Sequence, residues 1–261
     1  KGDSMGFLEI RRLTKFFGGL TAVMELDMDV GQGRIVGLIG PNGAGKSTVL
    51  NMIGGTLMPS KGEVIFDGVE VTKLPSHRRA HLGIARVFQE NLLFNGFTVL
   101  ENVLVGFHLK SKKGLSSSLI KTRSTRAEEE TLREKALETL AFVGLTEYSH
   151  ELAINLPHGR QRLLSLAIAL ATQPKLILLD EPVTGMNAEE VENMLSMIRA
   201  LRDEKGVTCI IIEHNLKAVM GLCERITVLN FGTKIAEGTP GEIVENPVVI
   251  EAYLGTEEDV T

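Results

Sequence analysis

A glycine-rich run near residue 40 limits what this chain can fold into more than any other feature of its sequence. The run, Gly40-Pro41-Asn42-Gly43-Ala44-Gly45-Lys46-Ser47-Thr48, fits the pattern G-x-x-x-x-G-K-[ST]. Residues 35–39 before it predict a strand, and residues 47–53 after it predict a helix. Such a turn wraps its backbone N–H groups around a phosphate, and the following helix directs its positive end at the same anion. We therefore predict an ATP site, in which Lys46 reaches the β- and γ-phosphates and the Ser47 hydroxyl binds Mg²⁺.

An acidic pair at the end of a second apolar run supplies the other half of such a site. Residues 176–179 predict a buried strand, and Asp180 and Glu181 follow it directly. In this position Asp180 can hold the Mg²⁺ shell, and Glu181 can act as the general base that polarises the attacking water. The sequence therefore predicts hydrolysis of ATP as well as its binding.

Composition and charge exclude several classes of protein. A chain of 261 residues fits one large α/β domain, or a domain with an inserted lobe. Its net charge of −5 gives no global attraction to nucleic acid or to anionic lipid. The longest apolar runs are far shorter than a membrane span, and we see no secretory leader in the given sequence. Cys209 and Cys223 are expected to be buried free thiols.

The order of the predicted elements indicates an α/β fold with a helical insertion. Short strands and glycine turns fill the first third, residues 98–171 follow a helical pattern, and strands then alternate with helices. This alternation predicts a parallel sheet covered by helices. We expect a single domain over residues 6–255. Its expected parts are a nucleotide-binding core with a β subdomain at 6–90 and 171–255, and a helical signature subdomain at 91–170.

Three short segments have structural interpretations. Residues 1–5 are expected to be a tag remnant or a loose terminus, and the basic stretch 110–126 is expected to be a solvated loop. The segment Thr239-Pro240-Gly241-Glu242 predicts the start of a helix, because Thr239 can cap it and Glu242 can complete a capping box.

Further residues resemble those of ATP-binding cassette (ABC) ATPases. Gln89 stands where these proteins carry the glutamine of their Q-loop, and His214 matches their switch histidine. Phe17 precedes the glycine-rich loop at the distance of their adenine-stacking aromatic residue, and Asn187 lies where their D-loop follows the acidic pair. The resemblance implies catalytic roles for Gln89 and His214, with Gln89 also a Mg²⁺ ligand. It also implies a P-loop, RecA-like core with an N-terminal antiparallel β subdomain and an inserted α-helical subdomain.

The match narrows to the ATPases of branched-chain amino acid importers. Residues 17–23, 39–48, 213–214 and 246–255 carry this narrower resemblance, which extends over about residues 6 to 255. It implies a second ABC ATPase subunit, identical or different, two transmembrane permease subunits and, indirectly, a periplasmic or extracellular substrate-binding protein. It also implies a cytoplasmic position, peripheral on the inner face of the cell membrane. We expect no nucleic-acid partner.

One motif departs from the family pattern. ABC ATPases bind ATP between two subunits, where the loop of one faces a signature, typically Leu-Ser-Gly-Gly-Gln, of the other. The residues in this position are Leu156, Pro157, His158, Gly159 and Arg160. Pro157 lacks the hydroxyl and the N–H of the usual serine, and His158 replaces a glycine. We expect a weaker contact to the partner's γ-phosphate; alternatively, the site is intact because His158 or Arg160 compensates.

Two other functions stay open from the sequence. A soluble ABC ATPase that serves a protein assembly, such as an iron–sulfur scaffold complex, would use the same ATP chemistry. Co-purification with a membrane permease would separate it from an importer. A nucleic-acid-linked ABC protein is supported only by the basic stretch 110–126, and salt-sensitive DNA binding would test it.

Overall fold

Two β-sheets organise the part of the chain that the computed structural model describes, namely residues 6–90, 92–110 and 123–254. The expected loose terminus at 1–5 and most of the expected loop at 110–126 lie outside these residues. Ten strands, β1 to β10, and nine α-helices, α1 to α9, are found within the described ranges.

The smaller sheet is antiparallel and has the strand order β2-β1-β4-β5. Its strands are β1 (Leu8–Phe17), β2 (Leu20–Val30), β4 (Lys61–Phe66) and β5 (Val69–Glu70). The buried residues of these strands, among them Leu8, Leu26 and Phe66, pack into one core with the apolar face of helix α1 (Lys46–Gly54). The antiparallel β part of the predicted fold is therefore present at the N-terminus.

The larger sheet has the order β10-β9-β3-β8-β7-β6. Its strands are β3 (Ile35–Ile39), β6 (Ile84–Val87), β7 (Leu176–Asp180), β8 (Thr208–Ile212), β9 (Arg225–Asn230) and β10 (Thr233–Gly238). All neighbours pair in parallel except β10, which runs antiparallel to β9. Every residue of β3, β7 and β8 is buried, because helices cover one face of the sheet, and the smaller sheet together with the helix after β3 covers the other. The carboxyl ends of β3 and β7 therefore open on the same edge, where ligands of such sheets bind.

The helices fall into a group on the sheet and a group with a core of its own. Their bounds are α1 (Lys46–Gly54), α2 (Ser76–Leu82), α3 (Val99–Lys110), α4 (Arg123–Phe142), α5 (His158–Ala171), α6 (Ala188–Lys205), α7 (Leu216–Leu222), α8 (Pro240–Val244) and α9 (Pro247–Leu254). Helices α3, α4 and α5 pack on one another around buried residues such as Val103, Leu140 and Leu164. No helix in the described ranges is long and apolar enough to cross a membrane.

Several boundaries differ from the sequence-based ones. Helix α4 already begins at Arg123, so the end of the expected loop 110–126 is helical. The helix expected from Arg160 begins two residues earlier, at His158, because Pro157 takes the N-cap position. The capping box at α8 is confirmed, since Thr239 and Glu242 each bond the other's backbone N–H. Both cysteines are buried and form no disulfide, as expected.

Candidate active site

The glycine-rich loop leaves β3 and passes so close to neighbouring backbone that it tolerates no side chain at two positions. A Cβ atom on Gly40 would lie 2.0 Å from the carbonyl oxygen of Leu229, and one on Gly45 would lie 2.4 Å from that of Ala22. Both glycines also have positive φ, 149° and 98°. The sequence therefore needs glycine here to hold the loop against β9 and β2.

Lys46, the first residue of α1, lies buried under this loop. Its Nζ donates hydrogen bonds to the carbonyl oxygens of Gly40 at 2.8 Å and Pro41 at 2.9 Å. Burial lowers the pKa of Lys46, and the nearby charges of Glu181 and Asp180 oppose that shift. No side chain caps the start of α1, so its first N–H groups are left for an external acceptor. A buried ammonium beside uncapped N–H groups fits a phosphate.

The acidic pair stands at the carboxyl end of β7, and its two members contact different groups. Asp180 is buried, and its Oδ2 lies 2.6 Å from Nη2 of Arg86. Glu181 has a φ of 50°, in the left-handed region, and its N–H donates to the carbonyl oxygen of Ile212 at 2.9 Å. Non-glycine residues adopt this conformation at a cost of about 1–3 kcal/mol, and such strain concentrates at functional sites.

Three side chains hold the carboxylate of Glu181. Gln89 Nε2 donates to Oε2 at 2.9 Å, and the hydroxyl of Thr184 donates to the same oxygen at 3.1 Å. His214 Nε2 lies 3.1 Å from Oε1. The structure thus brings together three of the residues that the sequence singles out, although Gln89 and His214 lie far from Glu181 along the chain. The carboxylate is fixed in orientation and is 15% exposed, so a water molecule can reach it.

Two predicted ligand residues lie on elements that flank the loop. Ser47 is exposed in the first turn of α1. Phe17 ends β1 with 47% of its surface exposed, and the Nζ of Lys15 lies 5.2 Å from the centre of its ring. Their contacts to metal and adenine stay predictions.

The unusual signature forms the N-terminus of α5. Pro157 is the N-cap of this helix. The His158 ring lies beside Gly185, since a Cβ atom added to Gly185 would be 3.5 Å from Cε1 of His158. The Arg160 guanidinium stacks on the ring of Tyr148, 4.1 Å from its centre. In this conformation Arg160 is therefore engaged within its own chain.

The signature also packs against the helix that follows the acidic pair. A Cβ on Gly159 would lie 2.4 Å from Oε1 of Glu190, so the Glu190 side chain of α6 lies against the start of α5. Asn187 is the N-cap of α6, and Glu190 completes its capping box. Leu156, just before the helix, is buried in the core of α3 to α5. The predicted signature and D-loop residues are thus neighbours within one chain.

The sequence analysis assigned no role of its own to Glu213, which is buried next to His214. Its carboxylate accepts from the N–H of Val183 at 2.8 Å and from that of His214 at 3.2 Å. Burial raises the pKa of Glu213, and these N–H groups oppose the shift. Glu213 thereby ties the segment after Glu181 to the histidine that contacts it. The sequence offered two signals for this residue: its place directly after the apolar run of β8, and its pairing with His214 in the family resemblance.

Comparison with known proteins decides the family. The sequence model of the family described as "ABC transporter" matches residues 23–184. The high-affinity branched-chain amino acid transport ATP-binding proteins BraF of Pseudomonas aeruginosa and LivG of Escherichia coli are each 41% identical over 252 residues. Each match includes 97% of this chain and 99% of the relative. The chain belongs to the ABC transporter family.

Solved structures of ABC proteins share the fold. A nucleotide-free ATP-binding cassette from an ABC transporter is 32% identical, with a TM-score of 0.84 over 96% of this chain and 100% of that one. The ADP conformation of another ATP-binding cassette of an ABC transporter is 33% identical, with a TM-score of 0.84 over 97% of this chain and 100% of that one. As an ABC ATPase, the chain binds and hydrolyses ATP. The alternative of a protein-assembly ATPase is not favoured, since both named relatives are transport proteins.

Proposed function

We propose that this ABC ATPase powers the uptake of branched-chain or related amino acids. A second family model, described as "Branched-chain amino acid ATP-binding cassette transporter", matches residues 233–259 and supports this substrate class. The names of BraF and LivG point the same way. The proposed assembly has two ATPase subunits, identical or different, under two transmembrane permeases that a substrate-binding protein supplies. The chain would then be peripheral on the cytoplasmic face of the membrane.

The arrangement around Glu181 carries the catalytic part of the proposal. Glu181 accepts a proton from the attacking water, because its carboxylate is held by Gln89, Thr184 and His214 at the carboxyl end of β7. His214 orients Glu181 through Oε1 and lies 45% exposed, so it can also face the nucleotide. Fixing the base in advance removes the cost of orienting it during the reaction.

The loop residues bind the phosphates, and Phe17 stacks on adenine. The proposed phosphate contacts are Gly40, Pro41, Asn42, Gly43, Ala44, Gly45, Lys46, Ser47 and Thr48. The buried ammonium of Lys46 gives up its bonds to two loop carbonyls when it turns to a phosphate.

Ser47, Gln89 and Asp180 are the residues that would hold Mg²⁺. Their hydroxyl, amide and carboxylate oxygens are the ligand types that this cation takes, so the donor set fits. Bound there, Mg²⁺ would supply positive charge that offsets the negative charge developing on the phosphates. The chain's own part is to keep Asp180 buried at the end of β7 beside Lys46.

A direct test is amino-acid uptake by cells that carry the variant Lys46→Ala. We expect uptake of radiolabelled leucine, isoleucine and valine to be lost, because the variant lacks the buried ammonium under the phosphate loop. Lys73→Ala, which removes an exposed lysine between β5 and α2, is the matched control and should transport normally. Unchanged uptake in the Lys46→Ala strain would contradict the proposed transport role.

The signature residues 156–160 are proposed to face the ATP held by the partner subunit, together with Asn187 of the D-loop. The N-terminus of α5 offers backbone N–H groups, but Pro157 contributes none. This supports a signature that closes the partner's site with a weakened contact to the γ-phosphate.

We expect Pro157→Ser to raise the ATPase rate or leave it unchanged. Serine restores a hydroxyl and an N–H at the N-cap of α5, where serine is among the preferred residues. The measurement is phosphate release at saturating ATP, with melting temperature as the check on folding. A large loss of activity in a normally folded variant would show that Pro157 is not a weakened contact.

A further inference from the structure

Arg86 ties together the two halves of the ATP site. It lies on β6, with its side chain 10% exposed. Nη2 lies 2.6 Å from Asp180 Oδ2 on β7, and Nη1 donates to Asn51 Oδ1 on α1 at 2.5 Å. The guanidinium also stacks on Phe88, 4.5 Å from the ring centre. One buried cation thus spans the helix after the phosphate loop and the strand that carries the acidic pair.

A contribution to stability alone does not explain why a charged residue is buried at position 86. A buried ion pair is often no more stable than well-packed apolar residues of the same volume. Arg86 has a further cost, because its Nε is buried without a hydrogen-bond partner. The carboxylate that it holds is the one assigned to Mg²⁺ in the proposed function, on which this inference rests.

The charges around Asp180 are balanced without any metal. Three cations, Arg86, Lys46 and Arg162, lie in the field of three carboxylates, Asp180, Glu181 and Glu213. A free divalent cation would therefore meet no net negative charge, whereas the phosphates of a nucleotide would supply one.

We propose that Arg86 is a positioning residue that holds Asp180 and makes metal binding depend on nucleotide. Its positive charge repels a free divalent cation from the buried carboxylate. Its hydrogen bonds to Asp180 and Asn51 fix the position of the Asp180 carboxylate relative to α1. Nucleotide phosphates overcome the repulsion, so that the metal enters and leaves with the nucleotide.

The test is a titration of the full chain with Mn²⁺, followed by electron paramagnetic resonance, with and without ADP. We expect Arg86→Gln, which keeps a hydrogen-bond donor but loses the charge, to bind Mn²⁺ without nucleotide about tenfold more tightly than wild type. Arg86→Lys keeps the charge and should stay within about twofold of wild type. With ADP, the difference between wild type and Arg86→Gln should shrink, because the phosphates dominate the local charge.

The outcomes separate this inference from the proposed function. Unchanged or weaker Mn²⁺ binding by Arg86→Gln overturns the role of Arg86, and so does an equal gain in Arg86→Lys. Asp180→Asn tests the metal site itself: if it leaves Mn²⁺ binding in the presence of ADP unaltered, the assignment of Asp180 fails instead. ADP binding in the presence of EDTA reports folding. Arg86→Met is a second variant without the charge. Mn²⁺ binding is compared with wild type for either neutral variant, Arg86→Gln or Arg86→Met, that still binds ADP.

Discussion

Glu181→Gln is expected to lower the rate of ATP hydrolysis by about 10²- to 10⁴-fold, the usual contribution of a general base. Glutamine has the same shape and can still bond Thr184 and His214, but it cannot take a proton from water. The affinity for ATP should therefore change little. Phosphate release at saturating ATP measures the rate, and binding of a fluorescent ATP analogue measures the affinity.

The same variant should accumulate as an ATP-bound dimer, because closure no longer ends in hydrolysis. Light scattering with and without ATP would detect the change in mass. Glu192→Gln removes an exposed carboxylate from α6 and is the matched control, with a rate near that of wild type. Hydrolysis by Glu181→Gln within a few-fold of wild type would mean that another group is the base.

The sequence predicted those parts of the site that consist of consecutive residues, namely the glycine-rich loop and the strand that ends in the acidic pair. The loop needs glycine at fixed positions because β9 and β2 crowd it, so the motif is visible without the fold. The strand before Asp180 is apolar at every position because it is buried on both faces. Local sequence and tertiary environment agree in both places, which makes the prediction reliable.

The contacts that the sequence did not predict join distant segments. Arg86 and Asp180 are 94 residues apart, and they meet only because β6 pairs with β7. A charged residue in a four-residue strand also breaks the apolar pattern, so β6 itself had no clear signal. Thr184 contacts Glu181 because a turn follows the strained residue, and this geometry is not encoded in a motif.

The conformation of the signature was also beyond what the sequence could predict. The sequence identified Pro157 and His158 as departures but left open whether Arg160 compensates. Stacking of Arg160 on Tyr148 depends on how α5 packs against the turn at Thr146–Tyr148, which is a tertiary contact. In this conformation, engagement with Tyr148 favours the interpretation of a weakened signature.

Arg79→Met is expected to reduce the free energy of unfolding by about 3–5 kcal/mol, in the range for a buried charged residue whose network is broken. Arg79 is fully buried, and burial lowers its pKa to about 10. Its guanidinium donates hydrogen bonds to four backbone carbonyl oxygens, those of Met52 at 2.6 Å, Ile53 at 2.8 Å, Leu74 at 2.9 Å and Thr72 at 2.9 Å. Methionine fills most of the space but leaves these four acceptors without their donor.

The loss should appear as a fall in melting temperature of about 6–20 °C, given a shift of about 2–4 °C per kcal/mol for a chain of this size. Arg78→Met, which changes the exposed neighbour on α2, is the control and should stay within about 0.5 kcal/mol of wild type. Arg79→Lys should fall between the two, since an ammonium cannot span the same four carbonyls.

Two of those carbonyls end α1, whose other end carries Lys46 and Ser47, so Arg79→Met should also weaken ATP binding. A melting temperature equal to that of wild type would show that the cost of burying Arg79 cancels its hydrogen bonds.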